Sequence, residues 1–263
     1  MISFSNSENY LESKKCIKCN KSPTIQRRHS GQFLCLGCFK LSIEKIISKT
    51  IAKYNMLNPN DNIIVALSGS KNSIILLNNL KKIQEKVYRT KPIIALSIDE
   101  GNTINLTREL CEKLSIEQVI INSNEINKDE PFLLQLLKIA YTELRGNILA
   151  LGYNLTNLAN IYLNQLIFSK DLYQRIYYQD DFIKAITPLM RIPKEEIDIY
   201  YKIKNMGISK DLIHKKVDNS IIQIHIKNFI NDCKTYSPEI EFNLVNGLLE
   251  LTKIYNNQSI KPA

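Results

Sequence analysis

The sequence predicts an α/β protein in which a doubly wound parallel sheet follows a small cysteine-rich module. Three observations support this: two pairs of cysteines near the N-terminus, a β-branched run over residues 63–67 that ends in a Ser/Gly loop, and regular alternation of strand-like and helix-like segments afterwards. Continuous apolar runs are typical of strands buried on both faces, and alternation with helices favours right-handed crossovers. The 263 residues are enough for one such domain and a small appended module.

The composition is that of a basic globular protein. Hydrophobic residues make up 44% of the chain and charged residues 23%, which excludes a collagenous, mucin-like or disordered chain. The longest apolar runs are too short to cross a bilayer, and the N-terminus lacks the order of a secretory signal, so we expect a cytosolic protein with no membrane partner. The net charge of +9 favours polyanionic partners such as nucleic acid, although it could serve solubility alone.

Four of the six cysteines form a metal-binding pattern. They are Cys16, Cys19, Cys35 and Cys38, two Cys-x-x-Cys pairs separated by fifteen residues. Two such pairs complete a closed shell of four thiolates, which is typical of structural Zn²⁺. Two disulfides would need an oxidising compartment, and a thioredoxin-like site would need a single pair beside a βαβ unit. His29 is expected on the surface rather than as a ligand, and the isolated Cys111 and Cys233 are expected to be small core residues.

Basic side chains near the cysteines are candidate RNA contacts. Such residues could bind phosphates or could simply form a solvated basic face. The candidates are Lys14, Lys15, Lys18, Lys21, Arg27 and Arg28 around the cysteines, and Arg191, Lys215 and Lys216 in the C-terminal third.

The periodicity of apolar residues assigns the elements after the cysteines. The expected strands are residues 62–67, 92–98, 118–121 and 148–151. The expected helices are residues 39–54, 74–80, 103–114, 132–144, 155–168, 193–204, 220–233 and 238–255. The last two helices could meet a partner subunit, but we favour their packing against the chain's own core. Residues 210–216 are expected to form a loop.

The loop after the first buried strand is a candidate anion site. It reads Ser68-Gly69-Ser70-Lys71-Asn72-Ser73 and enters a helix. Backbone N–H groups converge at such a turn, and the helix dipole adds to their attraction for a phosphate. Small residues are common in strand-to-helix turns, so it is the position after the first strand that makes this loop informative.

Four motifs, in their order along the chain, resemble the PP-loop ATP pyrophosphatases (adenine nucleotide α hydrolase-like proteins), and among them the tRNA 2-thiolation proteins. Residues 68–73 stand where active members have Ser-Gly-Gly-x-Asp-Ser, and residues 99–101 are the Asp-Glu-Gly of the thiolases. Residues 152–157 correspond to Gly-His-Asn-x-Asp-Asp, and residues 188–197 to a Pro-Leu…Glu-Ile segment. The resulting assignment is a zinc ribbon over residues 1–40, a linking helix over 41–60, a PP-loop-like domain over 61–210 and a helical segment over 211–263.

The chain departs from the active members at the positions of their charged groups. Three carboxylates and a histidine are replaced by Asn72, Thr156, Asn157 and Tyr153. Neutral side chains are poor ligands for Mg²⁺ compared with carboxylates. The cysteine motifs that active thiolases have near residues 128–131 and 213–215 are also missing, and a thiolate is the group that could carry or ligate the transferred sulfur.

With these departures, the chain resembles the cytoplasmic tRNA 2-thiolation protein 2 family, whose members are degenerate partners of the catalytic thiolase. That family has the same cysteine spacing followed by phenylalanine, here Phe39, and a Thr-x-Leu-Ala matched by residues 156–159. The resemblance implies a pseudo-enzyme subunit, with no catalytic residues of its own, that forms a heterodimer with a catalytic thiolase and binds tRNA. It would support ATP-dependent 2-thiolation of wobble uridine 34, with sulfur from a thiocarboxylated ubiquitin-like carrier.

The same resemblance implies structural Zn²⁺ and makes ATP and Mg²⁺ doubtful on this chain. A vestigial nucleotide site would consist of Ser68, Gly69, Ser70, Lys71 and Ser73. Two alternatives stay open: an active ATP pyrophosphatase or tRNA sulfurtransferase with relaxed motifs, and a zinc-ribbon RNA-binding module with no part in thiolation.

Overall fold

The N-terminal module is a short antiparallel hairpin that leads directly into a long helix. The computed structural model describes residues 14–87, 91–99, 104–127, 130–168, 182–204 and 221–258. The hairpin consists of β1 (Ile25–Arg27) and β2 (Gln32–Leu34), and helix α1 (Leu36–Lys53) begins directly after Cys35. The first cysteine pair therefore precedes the hairpin, and the second pair straddles the start of α1.

A five-stranded parallel sheet forms the body of the protein. Its strands are β3 (Ile63–Ala66), β4 (Ile94–Asp99), β5 (Glu117–Asn122), β6 (Ile148–Ala150) and β7 (Lys184–Ile186). They lie in the order β5-β4-β3-β6-β7 with every neighbouring pair parallel. The direction of strand order reverses between β3 and β6, and open α/β sheets bind ligands at the carboxyl ends of such a pair.

Helices cover both faces of the sheet. They are α2 (Lys71–Gln84), α3 (Ile104–Leu114), α4 (Phe132–Thr142), α5 (Leu155–Phe168), α6 (Lys194–Ile203), α7 (Ile221–Tyr236) and α8 (Ile240–Gln258). On one face, Ile64 and Leu149 pack with Leu137 of α4. On the other, Val65 and Ala150 belong to the larger core that includes α1, α2, α5 and α6. The parallel α/β prediction is therefore confirmed.

The C-terminal helices pack on the chain's own core, as the sequence predicts. Both α7 and α8 contact α5, and Val245 and Leu248 of α8 are fully or almost fully buried. On α7, Ile226 and Ile230 are buried, whereas Phe229 is 57% exposed. The apolar face of α7 is thus narrower than its periodicity predicts, because only one i, i+4 stripe reaches the core.

Two further expectations concern membrane spans and the loop before α7. No helix within the described ranges is both long enough and apolar enough to span a bilayer. The expected loop over residues 210–216 lies outside the described residues.

Candidate functional site

The four cysteines of the N-terminal module converge on one point. The Sγ atoms of this cysteine quartet (Cys16, Cys19, Cys35 and Cys38) all lie within 4.8 Å of one another, and those of Cys19 and Cys35 are 3.6 Å apart. Around a tetrahedral ion with metal–sulfur bonds of about 2.3 Å, sulfur–sulfur separations are roughly 3.8 Å. The quartet therefore has the dimensions of a site for a single sulfur-ligated ion.

Two tight backbone turns place the quartet. In the first, the Asn20 amide donates to the Cys16 carbonyl at 2.9 Å, and Asn20 has a left-handed φ of 59°, which asparagine tolerates better than most residues. The Cys16 amide donates in turn to the Lys21 carbonyl at 2.9 Å. In the second, Cys35 precedes α1 and its carbonyl accepts from the Phe39 amide at 2.9 Å. Local hydrogen bonds thus hold both pairs of thiols.

The thiol pKa values indicate which members of the quartet ionise readily and which would need a cation to do so. Burial opposes ionisation of Cys16, but backbone N–H groups of Cys35, Lys18 and Cys19 outweigh it and lower the pKa to about 6. The backbone N–H of Cys38 likewise lowers the pKa of Cys35. Hydrogen bonds with neighbouring thiols raise the pKa of Cys38 to about 12. The accumulation of negative charge opposes the last ionisation, and a divalent cation would remove that opposition.

Arg27, a predicted RNA contact, is buried in an ion pair between the hairpin and α6. Its Nε and Nη2 atoms lie 3.0 and 2.9 Å from Glu196 Oε2, and Nη2 also donates to Ser42 Oγ at 2.7 Å. The two charged side chains are only 7% and 8% exposed. The guanidinium also lies 5.3 Å from the Phe39 ring centroid. The Arg27 side chain is thus already bound inside the protein, and it would have to leave Glu196 to contact RNA, which stays a prediction.

His29 is half-buried rather than on the surface as expected. Its ring centroid is 4.7 Å from that of Phe242, and its Nδ1 lies 3.6 Å from Glu196 Oε1. Burial, helped by the nearby Arg27 charge, lowers the pKa of His29. It lies outside the cysteine quartet, in agreement with the expectation that it is not a ligand.

The other basic candidates have mixed surroundings. Lys15, Lys18, Lys21 and Arg28 are exposed, while Lys14 Nζ lies 6.0 Å from the Phe33 ring centroid. Arg191 is half-buried, donates to Asn246, and lies 5.2 Å from the Phe242 ring centroid. Lys215 and Lys216 lie outside the described residues. RNA contact by the exposed members stays a prediction.

The loop of residues 68–73, here termed the phosphate loop, lies at the reversal point between β3 and β6. Gly69 has a φ of +76°, a left-handed conformation that favours glycine. Ser70 caps α2, its Oγ accepting from the Ser73 amide at 3.3 Å. Ser68 Oγ lies 3.1 Å from Ser70 Oγ and 3.4 Å from Ser73 Oγ. Three hydroxyls thus gather at the N-terminus of α2, which is the geometry of an anion site.

The cation of the phosphate loop is already paired. Lys71 Nζ donates to Asp198 on α6, and it lies 6.0 Å from the Tyr201 ring centroid. Both members of the ion pair are about one-third exposed. A bound phosphate would therefore have to compete with Asp198 for Lys71. Asp198 stands on a helix 127 residues further along the chain, so no sequence pattern connects it with Lys71.

Three asparagines beside the phosphate loop are hydrogen-bonded to one another. In this asparagine cluster, Asn72 Nδ2 donates to Asn157 Oδ1 at 2.9 Å, and Asn154 Nδ2 donates to Asn72 Oδ1 at 3.3 Å. Asn154 Oδ1 accepts from the Asn157 amide at 2.8 Å. Every side-chain oxygen of the cluster therefore accepts a hydrogen bond from within it. Carboxylates could not replace Asn72 or Asn154 without losing a donor.

The end of β6 packs against the start of α2 at van der Waals distance. A Cβ on Gly152 would lie 3.0 Å from the Ser73 amide nitrogen and 3.2 Å from the Asn72 carbonyl carbon. Any larger residue would require the backbone at the start of α2 to move by a few tenths of an ångström, so the absence of a side chain favours this approach. Thr156, at the position of a family carboxylate, accepts from the Lys194 amide at 3.1 Å, so its hydroxyl caps the start of α6. Tyr153 is half-buried, and burial raises its pKa.

The remaining family positions are only partly described. Asp99 ends β4 and is exposed, whereas residues 100 and 101 of the same motif lie outside the described residues, as do residues 128–129 and 213–215. Within the described part of the chain, the cysteine quartet is the only cluster of side chains suited to a metal ion.

The fold and these sites define a class: an open parallel α/β domain with a small-residue phosphate loop at its reversal point and a four-cysteine module before it. No protein-family model matches the chain. It is 22% identical to the tRNA-5-methyluridine(54) 2-sulfurtransferase of Pyrococcus horikoshii over 264 residues, covering 92% of this chain and 84% of that protein. It is 26% identical to the tRNA 2-thiolation protein NcsA of Haloferax volcanii over 237 residues, 73% of each.

A solved structure has the same fold. The U34-tRNA thiolase NcsA from Methanococcus maripaludis, determined with its [4Fe-4S] cluster, matches with a TM-score of 0.78 and 21% identity over 91% of this chain and 87% of that one. The prediction of a PP-loop-like architecture is in accord with this likeness.

The cysteines of this chain do not fit a four-iron cluster. Such clusters are held by several Cys thiolates, and outside the quartet the sequence has only Cys111 and Cys233. Cys111 is a buried core residue of α3, as expected, and burial raises its pKa to about 11. Cys233 is half-buried on α7. The quartet itself is too compact, since a cluster would place each thiolate on a different iron and hold the sulfurs farther apart than one ion does.

Proposed function

We propose that this chain is a non-catalytic subunit of a tRNA 2-thiolation complex. In that role it binds and positions tRNA while a catalytic thiolase subunit transfers sulfur, at the expense of ATP, to wobble uridine 34. The similarity of most of the chain to sulfurtransferases that act on tRNA supports the reaction class. The sulfur would reach the catalytic subunit from a thiocarboxylated ubiquitin-like carrier, and the complex would work in the cytoplasm.

The asparagine cluster is the observation that supports a non-catalytic role. In the active members of the family that the sequence resembles, carboxylates stand at the positions of Asn72 and Asn157 and help to bind Mg²⁺ and ATP. Here the oxygens of both amides are occupied by N–H donors of the cluster. A Mg²⁺ ion demands near-octahedral coordination, much of it by carboxylate and phosphate oxygens. Recruiting these amides would break three hydrogen bonds without supplying any negative charge.

The N-terminal module is proposed to hold Zn²⁺. Four thiolates around one ion form a closed tetrahedral shell, so the metal would fix the hairpin and the start of α1 rather than take part in chemistry. The exposed Lys15, Lys18, Lys21 and Arg28 would then present positive charge from a rigid surface. Such contacts position RNA through its phosphates without reading its sequence.

Reconstituted thiolation tests this proposal. The full chain, the catalytic thiolase subunit and both together would be incubated with tRNA, ATP and the sulfur donor, and thiolated tRNA measured by its retardation in mercury-containing gels. We expect product only when both proteins are present. Product from this chain alone, or equal product from the catalytic subunit without it, would refute the proposal.

A second candidate is an active sulfurtransferase with relaxed motifs. The observation that favours it is the similarity, over most of the chain, to proteins named as sulfurtransferases. The serine hydroxyls at the start of α2 could still contact a phosphate. Release of pyrophosphate by the pure chain with tRNA and ATP would favour this candidate. A chain that shows no release, while restoring thiolation to the catalytic subunit, would exclude it.

A further inference from the structure

A separate cavity lies between the hairpin module and the C-terminal helices, away from the phosphate loop and the cysteine quartet. It has a volume of about 260 Å³ and is lined by residues of the hairpin turn, α1, α6, α8 and the segment before α6. The residues that matter for its chemistry are His29, Lys49, Lys53, Arg191, Glu196 and Phe242. This volume lies just below the usual range for small-molecule pockets, roughly 300–1,000 Å³, and suits a ligand of nucleoside size.

One residue that lines the cavity has a buried acceptor without a hydrogen-bond partner. Glu196 binds Arg27 through Oε2, but its buried Oε1 has no hydrogen-bond partner. The side chain is only 8% exposed, and the nearest charged or polar partner recorded for Oε1 is His29 Nδ1 at 3.6 Å. A buried acceptor without a donor is costly. A ligand that brings an N–H group to Oε1 would relieve that cost.

Cationic side chains also line the cavity. Lys49 and Lys53 are exposed and stand four residues apart on α1, so they lie on the same face of the helix. Arg191 adds a third positive charge. Since the charge of Glu196 is already balanced by Arg27, the cavity as a whole attracts an anion.

The cavity also has an aromatic wall. The Phe242 ring is in tilted contact with the His29 ring at 4.7 Å between centroids, and the Arg191 guanidinium lies 5.2 Å from the Phe242 centroid. Aromatic rings and guanidinium groups are the surfaces on which single-stranded bases stack. The cavity is thus lined by a residue with an unpaired N–H acceptor, by a planar wall and by cations.

The geometry points to a binding site for a single nucleotide whose base has an exocyclic amino group. The amino group donates to Glu196 Oε1, the base lies against Phe242, and the phosphate meets Lys49 and Lys53. Guanine, adenine and cytosine satisfy this description. Uracil places carbonyl oxygens on both sides of its N3–H, and these face the carboxylate unfavourably. An unpaired nucleotide of an RNA and a free mononucleotide share this chemistry, and the first source rests on the proposed function.

Calorimetric titration of the full chain tests the site. The probes are GMP, AMP, CMP, UMP and inorganic phosphate. We expect GMP, AMP and CMP to bind about tenfold or more tightly than UMP and phosphate, since a hydrogen bond to a charged acceptor is worth roughly 1.5–3 kcal/mol and 1.4 kcal/mol is tenfold. Equal binding of all four nucleotides and phosphate, or binding of none at millimolar concentration, would overturn the inference.

Variants test the contributions of the lysines and of Glu196 separately. Replacing both exposed lysines (K49A/K53A) is expected to weaken GMP and UMP alike by about tenfold, whereas K113A, an exposed lysine on α3, leaves both unchanged. Glu196→Gln is expected to abolish the preference for GMP over UMP. Because Glu196→Gln also leaves Arg27 without its charged partner, the circular dichroism spectrum of this variant is compared with that of the wild type. If the variant does not fold, the base preference of the wild type and the affinity of K49A/K53A decide.

Competition identifies the source of the nucleotide. If a single-stranded RNA displaces GMP, and does so less well from K49A/K53A, the site takes an unpaired RNA nucleotide; if RNA and GMP bind together, it takes a free one. Two results distinguish the proposals. If thiolation does not need this chain although GMP still binds, only the proposed function is wrong. If thiolation needs the chain although K49A/K53A binds GMP as the wild type does, only the nucleotide site is wrong.

Discussion

The cysteine quartet and the asparagine cluster are both polar sites held by tight backbone geometry, but they differ in what they can bind. The quartet keeps four ionisable ligands within 4.8 Å of one another, and their charges repel until a cation joins them. The asparagine cluster has no charge, and its donors and acceptors satisfy one another. One site needs a ligand to be complete, whereas the other is complete without one.

The backbone geometry of the phosphate loop and the charge of the side chains around it are separate features. The phosphate loop keeps the left-handed Gly69 and the serine cap of α2, and Gly152 still packs against Ser73. These features depend on backbone packing and small residues, which the cores on both faces of the sheet maintain. The asparagines beside this backbone carry no charge, so under the proposed function the loop would keep its shape without binding Mg²⁺. The following predictions test this difference, beginning with the largest expected effect.

Loss of a quartet ligand should have the largest effect. Cys16→Ser replaces a fully buried thiol by a hydroxyl that does not ionise, and metal affinity should fall by more than about 100-fold, since changes to outer-shell groups alone cost roughly 10–100-fold. The metal content of the purified protein, by mass spectrometry with zinc and iron measured together, tests this. Cys233→Ser is the matched control and should retain one equivalent of metal. Equal metal content in both variants would show that the quartet binds no ion.

Removal of Arg27 should destabilise the junction between the hairpin and α6. Arg27→Met leaves the buried Glu196 carboxylate without its cation, and breaking one side of a buried ion pair costs about 3–5 kcal/mol. Urea unfolding measures the change. Arg28→Met, at an exposed neighbour, should change the unfolding free energy by less than about 0.5 kcal/mol. A loss below about 1 kcal/mol in the first variant would mean that the pair does not hold the module in place.

Placing a carboxylate in the asparagine cluster should lower stability. Asn72→Asp removes the donor to Asn157 Oδ1 and adds a charge beside that oxygen, at a cost of about 1–3 kcal/mol. Thermal unfolding with and without Mg²⁺ measures it, and Asn105→Asp on the exposed side of α3 is the control. An unchanged unfolding temperature would indicate that the cluster is open to water rather than closed, and would weaken the proposed loss of catalysis.

A smaller, pH-dependent effect is expected where α1 meets α2 and α6. Glu44 Oε1 lies 2.8 Å from Lys204 Nζ and 3.1 Å from Lys82 Nζ, and accepts from the Tyr200 hydroxyl at 3.0 Å. Although burial opposes ionisation, these contacts lower the pKa of Glu44 from 4.5 to about 2. Because the folded pKa is depressed, the contribution is present above pH 4.5 and is lost as the pH falls towards 2.

Glu44→Gln should therefore flatten the dependence of stability on pH in that window. The side chain is partly exposed, so solvent screening limits the effect at neutral pH to less than about 1 kcal/mol. Urea unfolding at pH 7 and at pH 3 measures it. A variant with the same pH dependence as the wild type would show that these contacts contribute nothing to folding.

Most of the fold follows from periodicity and from turn residues. The longer elements could be predicted because each repeats an apolar pattern over many residues, and α5 lies at the predicted bounds. The strands β1, β2 and β7 were not predicted, since each has three residues and at least one of them is polar, whereas the equally short β6 is entirely apolar. Helix α2 begins three residues before the predicted start, because Ser70 caps it from within the phosphate loop.

By itself, the sequence determined the cysteine quartet, the parallel α/β class and the position of the phosphate loop, because these depend on spacing along the chain. Only the tertiary structure decided which side chains from distant segments meet. It placed Arg27 against Glu196, Lys71 against Asp198, and Asn72 within reach of Asn154 and Asn157. An ionic or amide side chain has no periodicity that reveals its partner, since the partner is chosen by how helices and strands pack.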